Sequence, residues 1–263
     1  MCYDVKYLTQ KKLKYARRRG ETEAEIGRIE SELNDITRDF EAQYCVSGFA
    51  HPRFLVFTAD EPVKPNLFSW GLIPHWVKDE KQAIQIQNRT INARVETIFD
   101  KPSFRKPAAE RRCIILIDGF FEHFYYKGKA YPIHVFETNQ EPISVAGLWD
   151  IYKRSDGALH YSVTLVTSKS KGIMKKIHNN PKMSESRMPL MLNPECEKMW
   201  LSRDISKDLL LNKVTDPNDY LLKAYPVAPI RGKSALGNIP EACDEHDYAT
   251  FNAQSFKDYV QLS

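Results

Sequence analysis

A cysteine stands second in the chain, in MCYDVKYL, and once Met1 is removed Cys2 carries an α-amine and a thiol on adjacent carbons. Such a 1,2-aminothiol condenses with aldehydes. Its amine, with a pKa of about 7.7–8.0, is free enough near neutral pH to form an imine, and the thiol can then close that imine into a five-membered thiazolidine. The same residue can serve as an N-terminal nucleophile with its own amine as base; a second residue of no chemical consequence is the plain alternative. Glu122, in DGFFEHF, follows two phenylalanines after an apolar run. It points either to solvent on the polar phase of a strand or into an aromatic-walled pocket, where its pKa would rise toward the range of a general acid–base. His178, in KIHNN, ends an expected helix, where a histidine caps, packs or catalyses.

Other residues suit the handling of a polyanion. Asn92 opens NARVET, where it can cap a helix or position a substrate, and Arg94 and Glu96 can be an ordinary exposed pair. Arg94 joins Arg105, Lys106, Arg111 and Arg112 in a stretch of positive charge that suits phosphate contacts. Arg187 stands with Pro189 in SRMPLML. Trp70 and Trp76, in WGLIPHW, either pack in the core or stack on bases of a single strand.

These residues span the chain, so the elements between them must fold it back on itself. Ile26, Ile29, Leu33, Ile36 and Phe40 give the seam of an amphipathic helix, within a charged helical excursion over about 9–43. Its basic run KKLKYARRRG reads as a solvated face and receives no site. Residues 44–58 read as extended, and 67–80 as a strand broken at Gly71 and Pro74 into an aromatic loop. Residues 88–106 read as a short helix, a proline break and a second helical turn. From 111 to 137 an apolar strand, a turn at Asp118-Gly119 and a hairpin at Lys127-Gly128 follow, and strands continue over 142–152 and 159–170. A helix precedes the loop holding His178, a short strand covers 188–192, and Asn193-Pro194 caps another helix. The tail from Asp216 reads as loop until an amphipathic turn near Phe251. The spacing resembles an antiparallel β meander more than alternating βαβ units, in one α+β domain over 1–263.

Composition narrows the context. The net charge of +4 permits nucleic-acid binding without demanding it. The five cysteines are scattered, with no C-x-x-C and no zinc-ligand spacing, so no metal and no other cofactor is expected, and an odd number suits a reducing cytoplasm. Neither a signal peptide nor 18 consecutive apolar residues is present, so no membrane partner is expected.

In order along the chain, MC, WGLIPHW, NARVET, PSFR, RRC, DGFFEH, AGLWD, LVTS, RMPLML and LGNIP together resemble the SRAP family, the SOS-response-associated peptidase or abasic-site-processing proteins. The resemblance runs from Met1 to about Pro240. It implies a domain whose mainly antiparallel, β-barrel-like core with flanking helices presents a basic cleft for single-stranded DNA, acting as a monomer in the cytoplasm and associated with the nucleoid when bound to DNA. It also implies a Cys2 that captures the ring-opened aldehyde of an abasic site as a thiazolidine crosslink during DNA repair and the SOS response. By the same resemblance Asn92, Glu122 and His178 complete the catalytic set, Arg94, Arg105 and Arg187 hold phosphates, and Trp76 and Trp70 lie near the DNA. "Peptidase", a hydrolase class, then refers to autocatalytic release of the N-terminal segment. A cysteine amidohydrolase and a non-catalytic nucleic-acid-binding module are the rival readings. Three departures stand out: Tyr3 and Asp4 replace a common Gly-Arg, His123 replaces a tryptophan after the glutamate, and an inserted loop precedes Arg187, so an ungapped comparison puts Glu185 in the histidine position.

Overall fold

The structure, a computed structural model, describes residues 3–7, 11–215, 221–249 and 251–261. Twelve strands are described: β1 (Asp4–Tyr7), β2 (Gln43–Ser47), β3 (Arg53–Thr58), β4 (Asn66–Trp70), β5 (Asn92–Arg94), β6 (Arg112–Ile117), β7 (Gly119–Tyr126), β8 (Lys129–Glu137), β9 (Ile143–Lys153), β10 (Leu159–Lys169), β11 (Arg187–Pro189) and β12 (Leu222–Pro226). Strands β3, β4, β6, β9 and β10 close into a ring, since β9 pairs with both β6 and β10. A small closed barrel has an interior just wide enough for side chains to fill. RCIILI of β6, buried at every position, supplies one wall. Pairing is antiparallel except where β4 and β5 run parallel to β10.

The remaining strands form a second sheet in the order β12-β8-β7-β1-β2. The turn at Asp118-Gly119 is a corner at which the chain leaves the barrel for that sheet. The hairpin joins β7 to β8 through Lys127 and Gly128, as its sequence indicates, with φ values of 48° and 77° that give the twist a two-residue turn requires.

Among the described residues eight α-helices flank the sheets: α1 (Lys12–Arg19), α2 (Glu23–Ile36), α3 (Glu80–Arg89), α4 (Arg105–Glu110), α5 (Met174–Ile177), α6 (Pro194–Leu201), α7 (Lys207–Val214) and α8 (Ala253–Gln261). A reciprocal capping box between Thr22 and Glu25 starts α2. Its seam is shorter than the sequence pattern suggested. Ile29 and Leu33 are buried, Ile36 is half-exposed, and Phe40 lies past the helix end beneath the Arg53 guanidinium. The basic end of α1 is not a solvated face: Arg18 and Arg19 both pair with Glu197 of α6. Asn193 caps α6, its side-chain oxygen accepting from the Cys196 N–H at 2.8 Å. The tail expected to be loop contains β12, which pairs along β8 from Leu222 to Pro226. One continuous apolar core runs from Val5 to Phe256. No described helix is long and apolar enough to cross a membrane.

Candidate active site

Glu122 sits on β7 between β1 and β8, opposite Ile133, and its side chain is buried. His178 terminates α5: its backbone N–H donates to the Met174 carbonyl, and its side chain is 2 % exposed. The two meet. His178 Nδ1 is 3.1 Å from Glu122 Oε2 and 2.7 Å from the Arg187 carbonyl oxygen. The Arg187 backbone N–H donates to the same Nδ1 at 3.2 Å, and Nε2 lies beside the Met183 sulfur at 3.4 Å. The other Glu122 oxygen accepts from the His123 N–H at 2.9 Å. Burial pushes the Glu122 carboxyl up, but the hydrogen bond from His178, nearby positive charge and the His123 N–H together outweigh it and hold the carboxyl below its ordinary value. The pocket reading of Glu122 thus fits, while the expected upward shift is corrected: this carboxylate is ionised, as suits a base that accepts a proton and returns it.

The pair opens into a cavity of about 150 Å³ lined by Tyr3, Asp4, Glu122, His123, His178 and Arg231, among others. Antiparallel pairing of β1 with β7, Asp4 opposite Phe121, brings the first strand beside Glu122. Asp4 is 4 % exposed and accepts from the Arg231 guanidinium at 2.6 Å. Burial raises the Asp4 pKa against the opposing pull of Arg231, and burial lowers that of His123. Three larger cavities are described: two of about 500 and 510 Å³ lie elsewhere without a lining histidine, and one of about 440 Å³ shares His123 and Arg231 with this one. Among the described residues no group of three or more His, Cys, Asp or Glu side chains could hold a metal ion. Cys2 lies outside the described residues.

The other candidates separate. Asn92 is no helix cap; it begins β5, opposite Leu165 of β10, and Arg94 two residues on is exposed. Neither lines the Glu122 cavity. Arg187 cannot hold a phosphate as placed: its side chain is fully buried, its guanidinium donates to both Glu96 oxygens at 2.8 and 2.9 Å and to Glu185 at 2.9 Å, and a further N–H reaches the Thr167 carbonyl. It is a clasp between β11, β10 and the NARVET segment, and its carbonyl orients His178. Glu185, the rival for the histidine position, is spent on Arg187 and Lys169. The stretch of positive charge also disperses. Arg105 is exposed at the start of α4, but Arg111 pairs with the buried Asp150, and Arg112 is buried against the carbonyls of Ala108, Trp200 and Ser202.

The two tryptophans divide. Trp70 is fully buried, and its indole N–H donates to the Ile91 carbonyl at 2.8 Å, so it offers no face to a base. Gly71 follows at φ 101°, a conformation open to glycine, and turns the chain outward. Trp76 then stands 40 % exposed on a loop fixed by the buried carboxylate of Asp150, which accepts from the His75 backbone N–H at 3.0 Å and lies 2.9 Å from its ring Nδ1.

Comparison with known proteins places this geometry. The family described as SOS response associated peptidase (SRAP) matches residues 6–233. The chain belongs to the SRAP family. It is 32 % identical over 228 residues to the abasic site processing protein YoqW of Bacillus subtilis, covering 82 % of this chain and 96 % of that one. It is 29 % identical over 201 residues to the abasic site processing protein HMCES of Rattus norvegicus, covering 65 % of this chain and 54 % of that protein. A crystal structure of a protein from Bacteroides thetaiotaomicron has the same fold, with a TM-score of 0.77 at 27 % identity, covering 94 % of this chain and all of that one.

Within this SRAP chain Asp4 holds an arginine brought from far along the chain, Arg231. No motif or spacing marks that pair, because its partners are joined only by tertiary folding. The same is true of Asp150, which pins His75 and Arg111; only its burial in AGLWD identifies it.

Proposed function

We propose that this chain processes abasic sites in DNA, and that it does so by covalent capture through Cys2 once Met1 is lost. The Cys2 amine adds to the aldehyde carbon of a ring-opened abasic sugar in single-stranded DNA, and loss of one water gives the imine. The thiol sulfur then adds to the imine carbon while its proton passes to nitrogen, which closes the thiazolidine. Glu122 accepts and returns the protons of these steps, and His178 holds and tunes it. Asn92 positions the N-terminal residue, Arg94 and Arg105 meet phosphates, and Trp76 stacks on a neighbouring base. The peptidase activity in the family's description is read as release of the N-terminal methionine, not as general proteolysis.

The observation that carries this reading is the buried Glu122–His178 pair in a cavity walled by Tyr3. Tyr3 is the covalent neighbour of Cys2. The named relatives, abasic site processing proteins, supply the substrate class. The test incubates Met1-processed protein with a single-stranded oligonucleotide carrying one abasic site and runs a denaturing gel. A shifted band that is lost in Cys2→Ala is expected; no band from correctly processed protein would reject capture.

A further inference from the structure

The Asp4–Arg231 pair lies at the boundary between the Glu122–His178 cavity and a second one. Arg231 and His123 line both the cavity of about 150 Å³ and a neighbouring groove of about 440 Å³ that also includes Lys129, Tyr131 and Tyr248. The smaller cavity is the size of a few water molecules, at about 30 Å³ each. It admits a single unstacked sugar, whose two flanking phosphates must stay at its mouth.

Charge makes that mouth unwelcoming to phosphate without help. Asp4 and Glu122 both contribute carboxylates, and burial together with the nearby Arg231 charge lowers the His123 pKa. Arg231 is the one arginine or lysine lining this cavity among the described residues. Its side chain is 47 % exposed, and one terminal nitrogen is committed to Asp4 at 2.6 Å. A guanidinium has five N–H donors in a planar fork, so a buried carboxylate aims the fork while the half-exposed side chain keeps further donors for two-pronged phosphate binding.

We propose that Arg231, aimed by Asp4, grips a backbone phosphate next to the nucleotide held in the Glu122–His178 cavity. Asp4 is then a positioning residue. This rests on the reading of the cavity as a DNA site, and the alternative is an ion pair that only ties the 227–239 loop to β1.

The test is the salt dependence of non-covalent binding to a labelled single-stranded oligonucleotide, read by fluorescence anisotropy in a Cys2→Ala background so that crosslinking plays no part. Each phosphate contact on single-stranded DNA adds about 0.7 to the slope of log K against log salt. Arg231→Gln is expected to make the slope about 0.7 shallower and to weaken binding about tenfold at low salt. Arg231→Lys keeps the slope and loses part of the affinity, and Asp4→Asn keeps the slope because the cation remains. A second measurement needs no substitution at Arg231: one uncharged methylphosphonate linkage beside the abasic position should cost the protein the same slope increment. An unchanged slope in folded Arg231→Gln, or no cost from any uncharged linkage, overturns the proposal. If the protein binds with the expected slopes but processed wild type never crosslinks, capture fails and the Arg231 assignment stands; no binding to single-stranded DNA at all sinks both.

Discussion

Arg187 lends itself to a decisive perturbation, because its sequence context suggests a phosphate contact and its surroundings assign it to a clasp. Its side chain is fully buried, whereas its partners Glu96 and Glu185 are 38 % and 32 % exposed. Removing either side of the clasp therefore has unequal consequences. Glu96→Gln strands a buried guanidinium without its two-pronged partner; breaking a buried pair in this way costs about 3–5 kcal/mol, here toward the lower end because Glu185 and the Thr167 carbonyl remain. Arg187→Met leaves two carboxylates that already reach water, and the lost charged hydrogen bonds, about 1.5–3 kcal/mol, are partly offset by an apolar chain in a buried site. At about 2–4 °C per kcal/mol for a chain of this size, Glu96→Gln should lower Tm by roughly 6–12 °C and Arg187→Met by less. Thermal unfolding followed by circular dichroism reads this order directly. In both variants, at temperatures where they are folded, the salt slope of single-stranded DNA binding should equal that of wild type. The reasoning fails if Arg187→Met leaves Tm unchanged and makes that slope about 0.7 shallower.

Glu122→Gln should slow crosslink formation or reversal by about 10²–10⁴-fold while leaving the fold intact, measured by time-resolved denaturing gels. Because the folded-state pKa of Glu122 is depressed, its ionised form contributes stability that is present above the unfolded value of about 4.3 and is lost as pH falls through the folded pKa; a wild-type-minus-variant Tm difference that grows on acidification would contradict this sign. Trp70→Ala should cost about 3–5 kcal/mol of stability, whereas Trp76→Ala should leave Tm within a few degrees and weaken single-stranded DNA binding by about 1–3 kcal/mol; titrations of the two variants with oligonucleotide separate core from surface.

What the sequence exposes and what it hides follows from the range of the interactions. Strand and turn chemistry is local, so strands such as β6, the Lys127-Gly128 hairpin and the Asn193 cap are legible residue by residue, whereas residues 92–94, which read as helical, form β5 because β10 pairs with them. The pairing of His178 with Glu122 is not local, and it is legible only because the motifs around each residue resemble one family. Burial is the part that misleads. Trp70 and Trp76 stand six positions apart in one motif, yet Gly71 turns the first inward and leaves the second outside. Arg112 and Arg187 look like surface cations until the carbonyls and carboxylates around them are known. β12 escapes a pattern search because LKAYP carries a lysine and a proline and takes its strand character from β8. Asp4 looks like a lost cation in the sequence; in the fold it is the holder of one.

The central claim is that the reactive group is the aminothiol of Cys2. Intact and peptide mass spectrometry of Met1-processed protein, after incubation with an abasic single-stranded oligonucleotide, tests it most directly. Capture as proposed gives a species with the summed mass of protein and oligonucleotide less one water, and digestion places the adduct on the peptide that begins at Cys2. An adduct mapped to a lysine elsewhere in the chain, or no covalent species at all, would contradict it.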